Sequence, residues 1–403
     1  MAIVVQCCRV YFKTATIEEL NELIGDAEVD WKYLAVLTKH HRIRPVVFNI
    51  LLQSKVDASL KSRVREDLLH ETFVSNKKAK ETERIVLLLR EHGIQAIPYK
   101  GECYSKQFFG EIALRESSDM DFAIKSKDIC EIIEILKKDG YYPKWEEYYL
   151  YLGHDAYVKK EKGFDFVKCD GENSYGAEFH WRKVESFSAN NKIENDYRFD
   201  ELEKIKLVQN EISVFTKSYH FNAIYTHHNL ADGLAYLKTC VDIEKGLLEI
   251  NKDGLDKEDV FNLDLVTTIN NSLFGVDAKD SKKNNSIAKV YTNFILSNAP
   301  KKANKGKFTF VDYLNRHVAV IRMKRVFHGG VANVFQYYAK SMLRVAQWDA
   351  YDYYQIKLSK NLKFLYPIIR PFRKIFMPTN HTKVAMKIKE KAEKLAKEIK
   401  PTS

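Results

Sequence analysis

At Gly93 the hydrophobic rhythm of the sequence changes, and this change limits the fold more than any other feature. Before it, residues 17–90 carry apolar side chains at three-to-four spacing, the period of helices that bury one face. "TIEELNELI" opens on a capping threonine with a glutamate close behind. "DWKYLAVLTKHHRIRPVVFNILLQS" and "SLKSRVREDLLHETFVSNKKAKETERIVLLLREHG" continue the pattern, and the second stops at Gly93, a normal helix end. After it the apolar runs shorten. "IQAIPYK" (94–100) and "MDFAI" (120–124) read as strands, "GECYSKQFFG" and "SKDICEIIEILKKDGYY" as helices with glycine exits. Three strand-like runs follow: "HDAYVKK" (154–160), "FDFVKCD" (164–170) and "YGAEFHWRKV" (175–184). The first two are joined by "EKG", a hairpin signal. From about Tyr197 to Tyr354 the chain reads as helical, with polar loops at 278–286 and 299–307.

The expected fold is α+β: an N-terminal helical lobe (1–93), a small mixed-sheet core (94–185), a C-terminal helical lobe (186–354) and a basic tail (355–403). A chain of 403 residues is long enough for several such lobes. Its 45% hydrophobic and 30% charged residues are ordinary for a globular protein. No apolar run reaches the length of a membrane span, and the N-terminus lacks a basic n-region and a cleavage site. Six scattered cysteines without a C-x-x-C suggest neither a zinc site nor a disulfide framework. Together these predict a cytoplasmic protein with reduced thiols.

The chemistry concentrates in "LRESSDMDFAI". On a strand, Asp119 and Asp121 project to one side while Met120 and Phe122 enter the core. Their roots lie about 7 Å apart, twice the rise per residue. Two carboxylates this close repel, and a divalent cation relieves the repulsion; Mg²⁺ suits such a site when phosphate oxygens and water complete its shell. "AEFHW" repeats the geometry, with Glu178 and His180 on one face and Phe179 and Trp181 on the other. If that strand neighbours the first, Glu178 supplies a third carboxylate, and three can hold two metals about 4 Å apart. Asp-x-Asp alone is a weak signal, since about one is expected by chance. Context strengthens it: Lys100 and Gly101 stand at a strand-to-helix junction, and Arg115, Ser117 and Ser118 immediately precede the acids, all able to meet phosphate oxygens. Glycosyltransferases and haloacid-type phosphatases also use Asp-x-Asp, but the first need a sheet where this chain is helical, and the second need Thr or Val where Ala123 stands.

The ordered set of Lys-Gly opening a helix, "R-x-S-x-D-x-D-F" and a later "E-x-H-W" resembles the bacterial uncharacterised nucleotidyltransferases of the DNA polymerase β superfamily. "HHRIRPVVFNILL" is similar to that family's opening helix, so the resemblance covers roughly residues 20–250. It implies metal-dependent transfer of a nucleoside monophosphate from an NTP such as ATP to an acceptor. That acceptor is a hydroxyl of a sugar, a lipid-linked glycan, RNA or protein, the last two as in toxin-type relatives. The metal is Mg²⁺ or Mn²⁺. Asp119 and Asp121 would bind both metals and Glu178 the one at the acceptor hydroxyl, while Lys100, Gly101, Arg115, Ser117 and Ser118 would meet the nucleotide. His180 would orient Glu178 or touch substrate, as would His228, Lys238 and Asp242 of "YTHHNL…LKTCVDI". Glu102 departs from the superfamily's usual Gly-Ser or Gly-Gly loop, and Lys100 would have to offset its charge. A scaffold that has lost activity is the other reading; loss of an acid would mark it, and none is lost.

The tail is set apart by charge. Residues 355–403 hold thirteen Lys and Arg against three acids, a surplus of ten in a chain whose net charge is +11. Pro367 and Pro371 interrupt any long helix in "LKFLYPIIRPFRKIFMP", and a lysine-rich helix follows, with Val384, Ile388, Leu395 and Ile399 on a loose stripe. Three readings stand open: peripheral contact with an anionic membrane, a nucleic-acid contact, and a solvated end.

Overall fold

The structure, a computed structural model, describes residues 1–26, 29–170, 173–185, 195–250, 262–276, 285–298, 335, 339, 347–377 and 381–399. The chain divides into two units, each assembled from three separate segments: Met1–Glu83, Lys100–Ser117 and Glu201–Gly330 in the first, Arg84–Tyr99, Ser118–Asp200 and Val331–Ser403 in the second.

The second unit holds a five-stranded sheet in the order β1-β2-β5-β4-β3, with β1 Ile97–Pro98, β2 Met120–Ala123, β3 Tyr142–Pro143, β4 Gly163–Asp170 and β5 Asn173–His180. β2 and β5 run parallel, and the remaining pairs are antiparallel. The apolar face carries Phe122, Phe164, Phe166 and Phe179, all fully buried, with Phe122 and Phe179 stacked at 4.8 Å. The helix Ile129–Lys138 ends as expected, at Gly140 in the left-handed region (φ 86°). The last helix, His381–Ile399, packs on β4 through buried Ile388 and Ala392.

In the first unit, helices Ile17–Gly25, Trp31–His40 and Arg44–Gln53 agree with the helical reading of 17–90, Thr16 with Glu19 forms the expected capping box, and a helix that was not expected, Ala2–Tyr11, precedes them. The long helix Ala58–Glu91 follows, its residues from Arg84 counting with the second unit, and it is followed by Gly93 at φ 74°. Helices Lys217–His227, Leu237–Glu249, Leu263–Phe274 and Asn285–Ser297 follow in this unit, together with a separate hairpin, β6 Leu202–Lys206 and β7 Glu211–Phe215.

Several expectations are corrected. Residues 154–160 form a helix, His154–Lys160, so "EKG" leads from a helix into β4 and is not a hairpin turn; the real hairpin is β4–β5. The strand expected over 94–100 shrinks to Ile97–Pro98. The stretch from Tyr197 is not wholly helical, because β6–β7 interrupts it. Pro371 lies inside the helix Tyr366–Phe376 and does not end it, while Pro367 occupies its first turn, where a missing N–H costs nothing. The predicted polar loops lie outside the described residues, except that Asn285 and Ser286 begin a helix.

Candidate metal centre

The pairing expected between the two acid-bearing strands is present. In the parallel register Asp121 stands beside Glu178 and Ala123 beside His180, so Asp121, Glu178 and His180 share one face while Phe122 and Phe179 take the other. His180 Nε2 lies 3.1 Å from Asp121 Oδ1 and 3.3 Å from Glu178 Oε2. One ligand atom from each of the three residues falls within 4.8 Å of the others. Asp121 and His180 are buried, at 6% and 1% exposure, whereas the Glu178 side chain is 34% exposed and opens the cluster to solvent.

Asp119 stands just before β2, half-buried, with its Cβ against Gly176, the residue two before Glu178 on the same face. It is outside the three-residue group, so the structure gathers Asp121, Glu178 and His180 where the sequence nominated Asp119, Asp121 and Glu178. All three carboxylates nonetheless act on one neighbour, Tyr99. Burial first, then the charge of Asp121, with smaller parts from Glu178 and Asp119, pushes its phenol well above the ordinary range, against a hydrogen bond from Tyr197 that lowers it. The Tyr99 ring also meets the His180 ring edge-on, and its N–H donates to Asp121 O at 3.0 Å.

The position of His180 depends on Gly163, its partner on β4. A Cβ at residue 163 would fall 2.6 Å from Phe179 O and 2.7 Å from His180 Nδ1, so no other residue fits there undisturbed. Nδ1 is buried and has no hydrogen-bond partner among the described residues. That nitrogen lacks a partner in either tautomer, as an N–H donor with a metal on Nε2 and as a bare acceptor with the proton on Nε2. With the proton on Nε2, the ring instead donates to the carboxylates. The three residues together offer a cation two carboxylate oxygens and an imidazole nitrogen, and without a cation Nε2 meets Asp121 and lies beside Glu178.

The other nominated residues, Ser118 apart, lie in the first unit. Lys100 and Gly101 both have positive φ, 52° and 43°. For lysine this is strained backbone, of the kind that persists where its surroundings enforce it. Here Lys100 N–H donates to His220 Nε2 at 3.2 Å, and His220 Nδ1 faces Gln107 Oε1. Burial, then the charge of Arg115, lowers His220 to about 3, which keeps it the neutral acceptor this bond needs. The Glu102 departure is resolved by a different lysine from the one expected. Lys78 Nζ sits 2.8 Å from Glu102 Oε1, and bonds Ser117 O at 2.6 Å and Ser117 Oγ at 2.7 Å; Ser117 Oγ lies 3.0 Å from Glu102.

Arg115 is buried and ion-paired to Asp242 through Nε and Nη2, each at 2.9 Å from Oδ2. Asp242 also meets His228 Nε2 at 2.9 Å, and His228 Nδ1 meets Asp232 at 2.8 Å. Burial acts against the Asp242 charge, but Arg115, His228 and Lys238 outweigh it and hold the carboxyl below its usual range. Lys238 is lowered to about 8, chiefly by burial and then by Arg115. His228 and Asp242 are thus brought onto Arg115, while Ser118, in the second unit, is exposed. Sequence reasoning missed Lys78, His220, Asp232, Tyr99 and Gly163. Only Asp232 carried a local signal, four residues after His228.

A family model described as uncharacterised nucleotidyltransferase matches residues 27–265, more than half of the chain. No curated protein and no solved structure matches.

Proposed function

The chain belongs to the uncharacterised nucleotidyltransferase family, and on that premise we propose that it transfers a nucleoside monophosphate from an NTP to an acceptor hydroxyl. The observation that carries the reading is the in-register parallel pairing of Asp121 with Glu178, which puts two carboxylates from segments 57 residues apart side by side at a solvent opening. In this proposal Asp119, Asp121 and Glu178 bind Mg²⁺ or Mn²⁺, which when bound supplies charge neutralisation for phosphate oxygens and a lowered pKa for a coordinated hydroxyl. His180 is a positioning residue that fixes Asp121 and Glu178 through Nε2–H. Tyr99, kept protonated, walls the cluster without adding charge. Lys100, Gly101 and Ser117 are assigned to the nucleotide by the family pattern, and Ser118 by its hydroxyl just before the acids. Arg115 places its segment by gripping Asp242.

Calorimetric titration of each NTP with Mg²⁺ or Mn²⁺ tests the reading, using the native chain and an Asp119→Ala/Asp121→Ala variant. Metal-dependent NTP binding that the variant loses is the expected result. A folded native chain that binds no NTP with either metal overturns it.

A further inference from the structure

The helix Tyr366–Phe376 sits on the second unit inside out. A surface helix ordinarily turns its apolar stripe inward and its arginines to water. Here Arg370 and Arg373 are both 4% exposed and ion-paired to buried Asp352, with Arg370 also 3.0 Å from Asp349. Tyr366 is buried as well, stacked on Trp348 at 4.2 Å, and its hydroxyl donates to Ile356 O. These contacts fix the helix by its polar side. Ile368, Phe372 and Phe376, spaced by four, are 61, 62 and 75% exposed, and Leu362, Phe364 and Met377 extend the patch at either end. A contiguous exposed apolar patch of this kind marks an interaction surface.

We propose that this face docks on an anionic lipid bilayer. Charge selects the occupant. Between Ile356 and Lys389 the chain holds seven lysines and no acid, besides the two buried, paired arginines. Two copies related by a two-fold would set this basic surface against itself. A nucleic acid would want arginines outward, and both helix arginines are turned in. A bilayer takes both features at once: apolar side chains enter the acyl boundary while flanking cations such as exposed Lys360 and Lys363 meet anionic headgroups. No helix among the described residues is long and apolar enough to cross a membrane, so the contact lies on the surface.

The test is co-sedimentation of the full chain with phosphatidylcholine vesicles, with and without about 30% phosphatidylglycerol. The variants are Ile368→Ser/Phe372→Ser/Phe376→Ser and Lys360→Gln/Lys363→Gln. All five positions are exposed, and an unchanged thermal melt confirms that each variant folds. The native chain should sediment with anionic vesicles and at least about 10-fold less with neutral ones; the serine variant should lose about 10-fold or more, and the glutamine variant several-fold. A native chain that stays in the supernatant, or a serine variant that binds anionic vesicles undiminished, overturns the proposal. So does a native dimer that the serine substitutions dissociate, or tighter binding to a DNA or RNA duplex than to anionic vesicles.

Discussion

Replacing Lys78 by methionine asks which lysine neutralises Glu102. The structure places Lys78 Nζ 2.8 Å from a Glu102 carboxylate that is 2% exposed, with the lysine side chain itself 9% exposed. Methionine keeps the volume and removes the charge, leaving an uncompensated buried carboxylate, a loss of about 3–5 kcal/mol. Ser117 O and Oγ lose their ammonium donor as well, while the Ser117 hydroxyl can still donate to Glu102 and hold the cost near the middle of that range. About 4 kcal/mol corresponds to a fall in Tm on the order of 10 °C for a unit of this size. Adding Glu102→Gln removes the stranded charge, so the double variant should recover about 2–3 kcal/mol relative to Lys78→Met, as a coupled pair does. Urea denaturation of the native chain, both single variants and the double variant gives the cycle. A Lys78→Met cost below about 1 kcal/mol, or no recovery in the double variant, would refute the assignment and return the role to Lys100.

Gly163→Ala pushes a methyl into Phe179 O and His180 Nδ1 and should cut Mn²⁺ affinity about 10-fold with the fold retained, a loss typical of disturbed supporting groups; calorimetry showing unchanged affinity would mean that His180 does not set the carboxylate geometry. His220 is lowered to about 3 in the fold, so an unfolded chain binds its proton first as pH falls from the ordinary imidazole range. Its contribution to stability is complete above pH about 6.5 and is lost progressively towards pH 3. His220→Gln should therefore make the acid limb of a stability–pH curve shallower, with His41, lowered to about 4, and the depressed carboxyls of Asp242 and Asp232 supplying slope that remains. Equal slopes for the two proteins would contradict this.

What the sequence made legible was what local chemistry decides. The helix stops at Gly93 and Gly140, the Thr16 cap, and the alternation that places Asp121 and Glu178 opposite Phe122 and Phe179 were all readable, because each depends on a few neighbouring residues. The His154–Lys160 helix was not, since seven residues with one fully buried side chain, Tyr157, do not separate a period of two from 3.6. The β6–β7 hairpin escaped for another reason. Its turn has no Asn-Gly or Asp-Gly signal, and its N–H groups at Gln209 and Asn210 donate to Glu83, more than a hundred residues upstream. Shorter separations, 24 and 17 residues, were already enough to hide Lys78 from Glu102 and Gly163 from His180. The inverted helix was hidden by Asp352: without that buried acid, a count of basic residues reads Arg370 and Arg373 as surface charge.

The parallel pairing of β2 and β5 also divides the chain by its tolerance of inserted residues. Register there is set strand against strand, so the loops of the connection between Ile124 and Lys162 can gain or lose residues without moving Glu178 from beside Asp121, whereas β4, paired with β5 and bearing Gly163, cannot. Within Asn173–His180 a single residue deleted before Glu178 turns the pattern over: the Phe179 ring takes the place of the carboxylate, and a carboxylate enters the phenylalanine layer. Length variation among natural or engineered forms of this chain should therefore gather in the connection and spare the eight residues of β5.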